Sequence, residues 1–429
     1  MSQMSHKMGF WSVLAMVTGC QVGSGIFMLP ATLAPYGLYS IVGWVCSALG
    51  AIMLSLVFAK LCAWFPKTGG PHVYVKEAFG QSASFFTGWT YWVISWVSTT
   101  VVVIGSIGYL MPILGIDSLP IQLVLQLILL LSITLLNCRG LNAAGHVEFV
   151  LTVLKVIPLL VVPLCALFYF NGNNFSISET VAHLSLSQIL SRVTLLTLWG
   201  FIGLESATTA AESVENPTVI IPRAVLFGTI AVTFIYLLNN IGIMGVIPGN
   251  ELMNSAAPYA DAVRSIFGGN WHLVISIIAS IVCIGTLNAW MMTSGQIALG
   301  LAQDNLLPSF FGKKNSYDAP IWSLIISSLG MVPLLIMTAN KNLASQILTI
   351  IDFSVIAFLF VYVICCLSFL KILLQKKQNF ISLIPQLLYG IIALLFCSWV
   401  IYETSLCTIA IASLFVLSGI PFYLRWRLK

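Results

Sequence analysis

Val17–Pro30 reads VTGCQVGSGIFMLP. It lies inside the first apolar segment, about Phe10 to Pro35, which is long enough to cross a bilayer at about 20 apolar residues per span. Gly19, Gly23 and Gly25 fall in the middle of that segment, with Thr18, Cys20, Gln21 and Ser24 among them. Glycine inside a helix costs roughly 1 kcal/mol relative to alanine. This density of glycine ahead of Pro30 predicts a span whose helix is interrupted. Non-helical backbone at membrane depth persists only where it is buried in protein or lines a wet cavity. The stretch therefore opens peptide N–H and C=O groups toward a ligand, unless the glycines serve a close contact between small-residue helices.

A second stretch answers the first. Trp199–Ala207, WGFIGLESA, is again mid-segment and carries Gly200, Gly203 and the acid Glu205. One interrupted span in each half of a polytopic chain marks the binding site of a secondary transporter.

Composition sets the frame for both. Of 429 residues, 59% are hydrophobic and only 7% charged, with mean hydropathy +1.01. Soluble domains carry about 25% charged residues, so this is a polytopic protein of the lipid bilayer. The formal charge of +5 bears on topology and not on nucleic acid. The first segment is too long for the apolar core of a cleavable signal peptide. The ten cysteines are scattered through apolar segments, apart from the neighbours Cys365 and Cys366. They show neither metal-ligand nor disulfide spacing and read as packing residues. No metal cluster, nucleophile constellation or nucleotide motif is present in the sequence, so no cofactor, enzyme activity or primary pump is expected. A channel would lack the paired breaks and the bulky aromatics beside them.

Hydropathy predicts an all-α membrane protein of twelve transmembrane helices, at 10–36, 39–62, 83–113, 120–137, 146–170, 187–212, 222–247, 272–300, 321–338, 344–370, 381–401 and 405–424. The third and tenth are long and expected to tilt. Asn216, Pro217 and Pro222 break the chain after the sixth span, and 119–186 and 248–271 are the candidates for structured outside loops. With the N-terminus inside, Lys7, Lys60, Lys67, Lys76, Arg139, Arg223, Lys313, Lys314, Lys371, Lys376, Lys377, Arg425, Arg427 and Lys429 are cytoplasmic. Only Arg192, Arg264 and Lys341 lie outside, a bias that places both termini in the cytoplasm. Breaks in the first and sixth helices, which start on opposite sides, predict a LeuT-type 5+5 inverted repeat. The repeats run over about 10–170 and 187–371, with accessory helices at 381–424, in a single domain over 1–429.

Several residues carry candidate chemistry. The positive helix end at Gly23, Ser24 and Gly25 suits a carboxylate, and the unwound carbonyls suit an ammonium. Together they read as a clamp for an α-amino acid or amine. Trp199 at the second break could stack on a cation, worth about 2 kcal/mol when desolvated; a lipid-facing tryptophan is the alternative. Trp290, in TLNAWMMTSGQ, has the same two readings. Glu205 and Lys155 are intramembrane charges, and such residues are functional by default. Glu205 reads as a gate, a proton carrier or a backbone-bonded carboxylate. Lys155 reads as a proton-coupling group or as a fixed ammonium filling a sodium site. Its nearest acid on the same segment, Glu148, stands seven residues back, so its partner is expected from another helix. Asp352 and Ser354 cannot share a helix face; one is expected to line the site. His72, before the third span, reads as a loop histidine.

GSGIFMLP, WGFIGLESA followed by VENP, TLNAWMMTSGQ and TGGPHVYVKEAFG resemble the amino acid–polyamine–organocation superfamily over almost the whole chain. The nearest branch is that of the basic amino acid/polyamine antiporters, the arginine/agmatine and putrescine/ornithine exchangers. The resemblance implies that Gly19, Cys20, Gly23, Ser24 and Gly25 hold the substrate's carboxylate and amine. It implies Trp199 as a middle gate with Ile202 beside it, substrate contact from Trp290 and Ser354, and an inner gate of Tyr91, Glu205 and Tyr362. Ser95, Thr99 and Val102 would shape the third-helix pocket, Cys20 replaces an amide, and His72 replaces an aromatic. Lys155 resembles instead the fifth-helix lysine of proton-coupled symporters. The expected function is secondary antiport in a bacterial inner membrane. A cationic amino acid (arginine, ornithine or lysine type) would exchange for its amine or another amino acid. The alternative is a proton-coupled amino acid symporter using Lys155 and Glu205 for coupling. A homodimer is compatible with either.

Overall fold

The computed structural model describes residues 7–116, 118–255, 257–338, 343–376 and 380–427. Among them the chain is helical, without a strand; one isolated bridge joins Met8 to Val214. Twelve of the described helices are long and apolar enough to cross a membrane. They are α1 (Phe10–Tyr36), α2 (Tyr39–Trp64), α3 (Pro71–Gly108), α4 (Leu119–Asn137), α5 (Leu141–Tyr169) and α6 (Leu186–Ser213). Then follow α7 (Pro217–Val246), α8 (Leu273–Gln303), α9 (Ile321–Thr338), α10 (Ile350–Gln375), α11 (Leu383–Tyr402) and α12 (Leu406–Arg425). The loop expected at 248–271 is structured by short helices at Gly249–Leu252 and Pro258–Phe267.

Both expected breaks are present. α1 is helical over Phe10–Gln21 and Gly25–Leu33, with Val22 extended between them. α6 is helical over Leu186–Leu198, tightens to a 3₁₀ turn at Trp199–Phe201, opens at Ile202, and resumes as 3₁₀ over Ser206–Ser213. The packing pairs recur five helices on. α1 meets α7 as α6 meets α2, α3 meets α10 as α8 meets α5, and α2–α7, α3–α8 and α4–α9 pair across. Burial follows: 89% of the α3 window is covered by protein, against 11% for α12. α3 thus belongs to the core and α12 to the lipid face.

Two boundaries differ from expectation. α3 starts at Pro71, not 83, because Pro71 takes the first helical position, where its missing N–H is no loss. Gly80, at φ 83° and ψ −174°, then breaks the helical path, a conformation open to glycine, so the second helical stretch resumes close to the expected 83. His72 is consequently a buried helical residue and not a loop histidine. Likewise α7 starts at Pro217, so Pro222 lies inside it. Proline's fixed φ fits a helix, and the loss is confined to one early hydrogen bond. Lys341, Lys377 and Lys429 of the topology argument lie outside the described residues.

Candidate functional site

Breaking α1 frees four carbonyls, and side chains from three other helices take them. Lys155 (α5) donates to Gly19 O at 3.3 Å and to Val22 O at 3.4 Å. Trp290 (α8) donates through Nε1 to Cys20 O at 3.1 Å, Tyr236 (α7) to Gln21 O at 3.0 Å, and Thr286 (α8) to Val22 O at 2.7 Å. A buried carbonyl left unpaired is costly, so these donors are what make the break stable at this depth. The opposite face of the break starts the half-helix Gly25–Leu33, whose Ile26 and Phe27 N–H groups donate back to Gly23 O and Ser24 O at 3.3 and 3.2 Å, so the N–H groups left over at this helix start are those of the break itself.

The second break is pressed against the first. Gly203 adopts φ +100°, and a Cβ there would come within 2.7 Å of Cys20 Cβ and 3.0 Å of the Trp290 ring. Only glycine satisfies both the conformation and the approach. Between the breaks lies a cavity lined by Cys20, Gln21, Gly23, Ser24, Ser98, Thr99, Val102, Trp199, Ile202, Thr286 and Trp290. It encloses about 20 Å³, room for about one water molecule. An amino acid enters only if the broken helices part. Every lining residue is buried except Trp199, which is partly buried. No ionised side chain lines it.

Glu205, just beyond the lining residue Ile202 on α6, is held from two other helices. Tyr91 donates to its Oε1 at 2.7 Å and Tyr362 to its Oε2 at 2.6 Å, all three fully buried. These two short bonds tie α3, α6 and α10 together. Nearer the start of α3, His72 Nε2 lies 3.2 Å from Asp304 Oδ2, and Lys76 Nζ 2.6 Å from Oδ1. This latch joins α3 to the end of α8. The hydrogen bond from His72, then that from Lys76, hold the Asp304 carboxyl down to about 2 from 3.8, against its partial burial. A depressed acid stabilises the fold above its unfolded pKa and loses that contribution as pH falls through the folded one. The difference in thermal midpoint between the unmodified protein and Asp304→Asn in detergent is therefore expected to vanish between about pH 4 and pH 2. A difference that stays constant across that window would show that the charge of Asp304 contributes nothing to the latch.

Lys155 finds its acid on its own helix. Glu148 Oε1 is 3.6 Å from Nζ, and both side chains are fully buried. The expectation that the partners of Lys155 come from another helix holds for the α1 carbonyls of Gly19 and Val22 and is corrected for the acid. Seven residues are two turns, which return to the same face after about 10.5 Å, and side chains on a helix lean toward its N-terminus, so lysine reaches back over that distance. Asn288 donates to Glu148 Oε2 at 3.0 Å and Thr152 to Oε1 at 3.2 Å. A side chain on Gly19 would collide with the Glu148 carboxylate, so the Gly19 position admits the acid.

Of the anticipated residues, Cys20, Gly23, Ser24, Thr99, Trp199, Ile202 and Trp290 meet around the cavity, with Val102 beside them. Gly25 lies beneath Trp199, and Gly19 serves Lys155 and Glu148 instead of lining the space. Ser95 spends its hydroxyl on Trp92 O and is not in the lining. Ser354 is buried on α10, also outside it. Asp352 pairs with Arg192 at 3.3 Å, partly exposed, so neither of the two α10 residues lines the cavity. Gln21 and Ser98 do line it without having been singled out. Ser98 follows Ser95 by three residues, and the neighbouring serine and threonine on one face of α3 were the available signal.

A family model described as "Amino acid permease" matches residues 8–423. "Putrescine transporter PotE" of Haemophilus influenzae is 30% identical over 379 residues, 88% of this chain and 87% of that protein. The Escherichia coli K12 protein of the same name is 30% identical over 376 residues, 87% of this chain and 85% of its own. "Cadaverine/lysine antiporter" of Escherichia coli K12 is 27% identical over 394 residues, 90% of this chain and 88% of that protein. Two broken helices facing one another across a small polar cavity, inside twelve spans matched almost end to end, identify the chain as a member of the amino acid permease family, on the basic amino acid/polyamine antiporter branch of the amino acid–polyamine–organocation superfamily.

Proposed function

We propose that this transporter is an antiporter exchanging a cationic amino acid, of the arginine, ornithine or lysine type, for its amine or another amino acid. The observation that carries this reading is the cavity itself. The break in α1 offers N–H groups for a carboxylate, and Trp199 and Trp290 offer ring faces for a cation. The Tyr91–Glu205–Tyr362 closure gives one side a barrier that must open in alternation with the other. The names of the relatives, a putrescine transporter and a cadaverine/lysine antiporter, support the same substrate class. In this reading Lys155 is a fixed cation, held by Glu148 and two carbonyls where a sodium ion would otherwise bridge α1 and α8. The proton-coupled alternative draws on the same lysine.

Exchange in proteoliposomes decides between them. Labelled arginine, ornithine or lysine is expected to enter only vesicles preloaded with an amino acid or its amine, with no effect of sodium. Equal uptake into empty vesicles under a proton gradient would establish the symporter instead.

The same reading sets repeats at about 10–170 and 187–371, accessory helices at 381–424, and both termini in the cytoplasm of a bacterial inner membrane. A cysteine placed at exposed Lys314 is expected to resist membrane-impermeant maleimide added from outside. The test requires Cys407→Ser, because Cys407 is free and exposed and falls at an outer helix end. Fast labelling at 314 would reverse the orientation.

A further inference from the structure

Among the described residues, three polar atoms of the cavity-lining side chains have no hydrogen-bond partner: Gln21 Nε2, Gln21 Oε1 and Ser24 Oγ. Both side chains are buried, at 3% and 2% exposure, and both line the space between the breaks. Their surroundings are otherwise satisfied, since the Gln21 carbonyl accepts from Tyr236 and that of Val22 from Thr286 and Lys155. Tyr236 is itself stacked on Trp44 at 4.5 Å, so the Gln21 backbone is fixed while its amide is left idle. A buried carboxamide with both ends unmatched is rare in a folded protein, and here it faces the site where substrate would sit.

We propose that the Gln21 side chain is a specificity-determining residue that ranks α-amino acids above their decarboxylated amines. The inference rests on the proposed antiport of these substrates. A carboxamide offers one donor group and one acceptor. An α-amino acid answers both: its carboxylate accepts from Nε2, with Ser24 Oγ donating beside it, and its ammonium donates to Oε1. A diamine carries only donors at neutral pH. Its ammonium satisfies Oε1 but sets a cation against the Nε2 hydrogens and leaves them unpaired. A site built to bond a group rejects the analogue lacking it, because its own buried polar atoms are then stranded. No carboxylate lines the cavity to compensate the diamine.

The test compares paired substrates on one sample. Apparent affinities for ornithine against putrescine, and for lysine against cadaverine, are measured by exchange in proteoliposomes containing the unmodified chain, Gln21→Met or Gln21→Glu. Gln21→Met removes two hydrogen bonds from the amino acid and one from the amine, whose stranded Nε2 it also removes, so it is expected to weaken the amino acid about 10-fold more than the amine, the value of the one bond by which they differ. Gln21→Glu supplies an acceptor without a donor and is expected to invert the preference. A ratio within one sample is independent of the fraction folded, so a poorly folding variant still reports. Parallel changes for both members of each pair, or none, would overturn the role of Gln21 and leave the antiporter standing. Failure of the unmodified chain to exchange either member would overturn the antiporter and this inference together.

Discussion

Lys155→Met is expected to destabilise the protein by about 3–5 kcal/mol, the usual consequence of removing one partner of a buried ion pair. Glu148→Gln in the same chain is expected to restore most of that loss. Lys155 and Glu148 are fully buried, 3.6 Å apart, so a charge stranded by removing one of them lies away from solvent. Methionine fills the volume but leaves the carboxylate with only Asn288 and Thr152, and it strips a donor from Gly19 O and Val22 O. Glutamine at 148 removes the unbalanced charge and keeps an oxygen for Asn288. The single and double variants, unfolded in detergent, form a thermodynamic cycle whose coupling term isolates the pair. If the double variant is as unstable as Lys155→Met, the charge of Glu148 is not what the lysine balances. Thr286 still bonds Val22 O in every variant, so the break in α1 should survive. Exchange by the double variant should then remain independent of sodium, as expected of a site closed by protein groups.

What could be read in the sequence divides along physical lines. The two breaks were legible because their cause is local: glycines and small polar residues crowded into apolar segments at Val17–Pro30 and Trp199–Ala207. The Tyr91–Glu205–Tyr362 closure was legible through the family resemblance, since residues so far apart in sequence give no joint local signal. Glu148 was passed over because helix pairing is usually sought three or four residues apart, whereas lysine spans two full turns. The His72–Asp304–Lys76 latch was hidden because Gly-Gly-Pro reads as a loop, and its two sides lie in α3 and beyond α8. Asp352 and Ser354 were correctly assigned to different faces, yet pattern alone could not place either one. Arg192 on α6 decided the first, and that contact depends on the folded position of two helices.

Trp199→Leu is expected to weaken substrate binding about 30-fold, corresponding to a desolvated cation–π contact of about 2 kcal/mol, while Trp199→Phe and Trp199→Tyr lose only a few-fold. Trp199 is the partly buried member of an otherwise fully buried lining. It stands at the start of the 3₁₀ turn where α6 departs from helix, so its ring moves with that break. Its edge packs on Gly25 of α1: a Cβ there would lie 2.9 Å from Trp199 Cδ1. The indole therefore touches both broken helices at once, which is the position a gate between them requires. Gly25→Ala should displace the ring and weaken binding in the same direction. Because both changes act through one side chain, Gly25→Ala combined with Trp199→Leu is expected to cost little more than Trp199→Leu alone. Calorimetric titration of the four proteins with the exchanged amino acid measures this. Additive losses would mean that alanine at 25 damages the α1 break independently of the ring. Equal and mild losses from leucine, phenylalanine and tyrosine at 199 would reduce the tryptophan to packing.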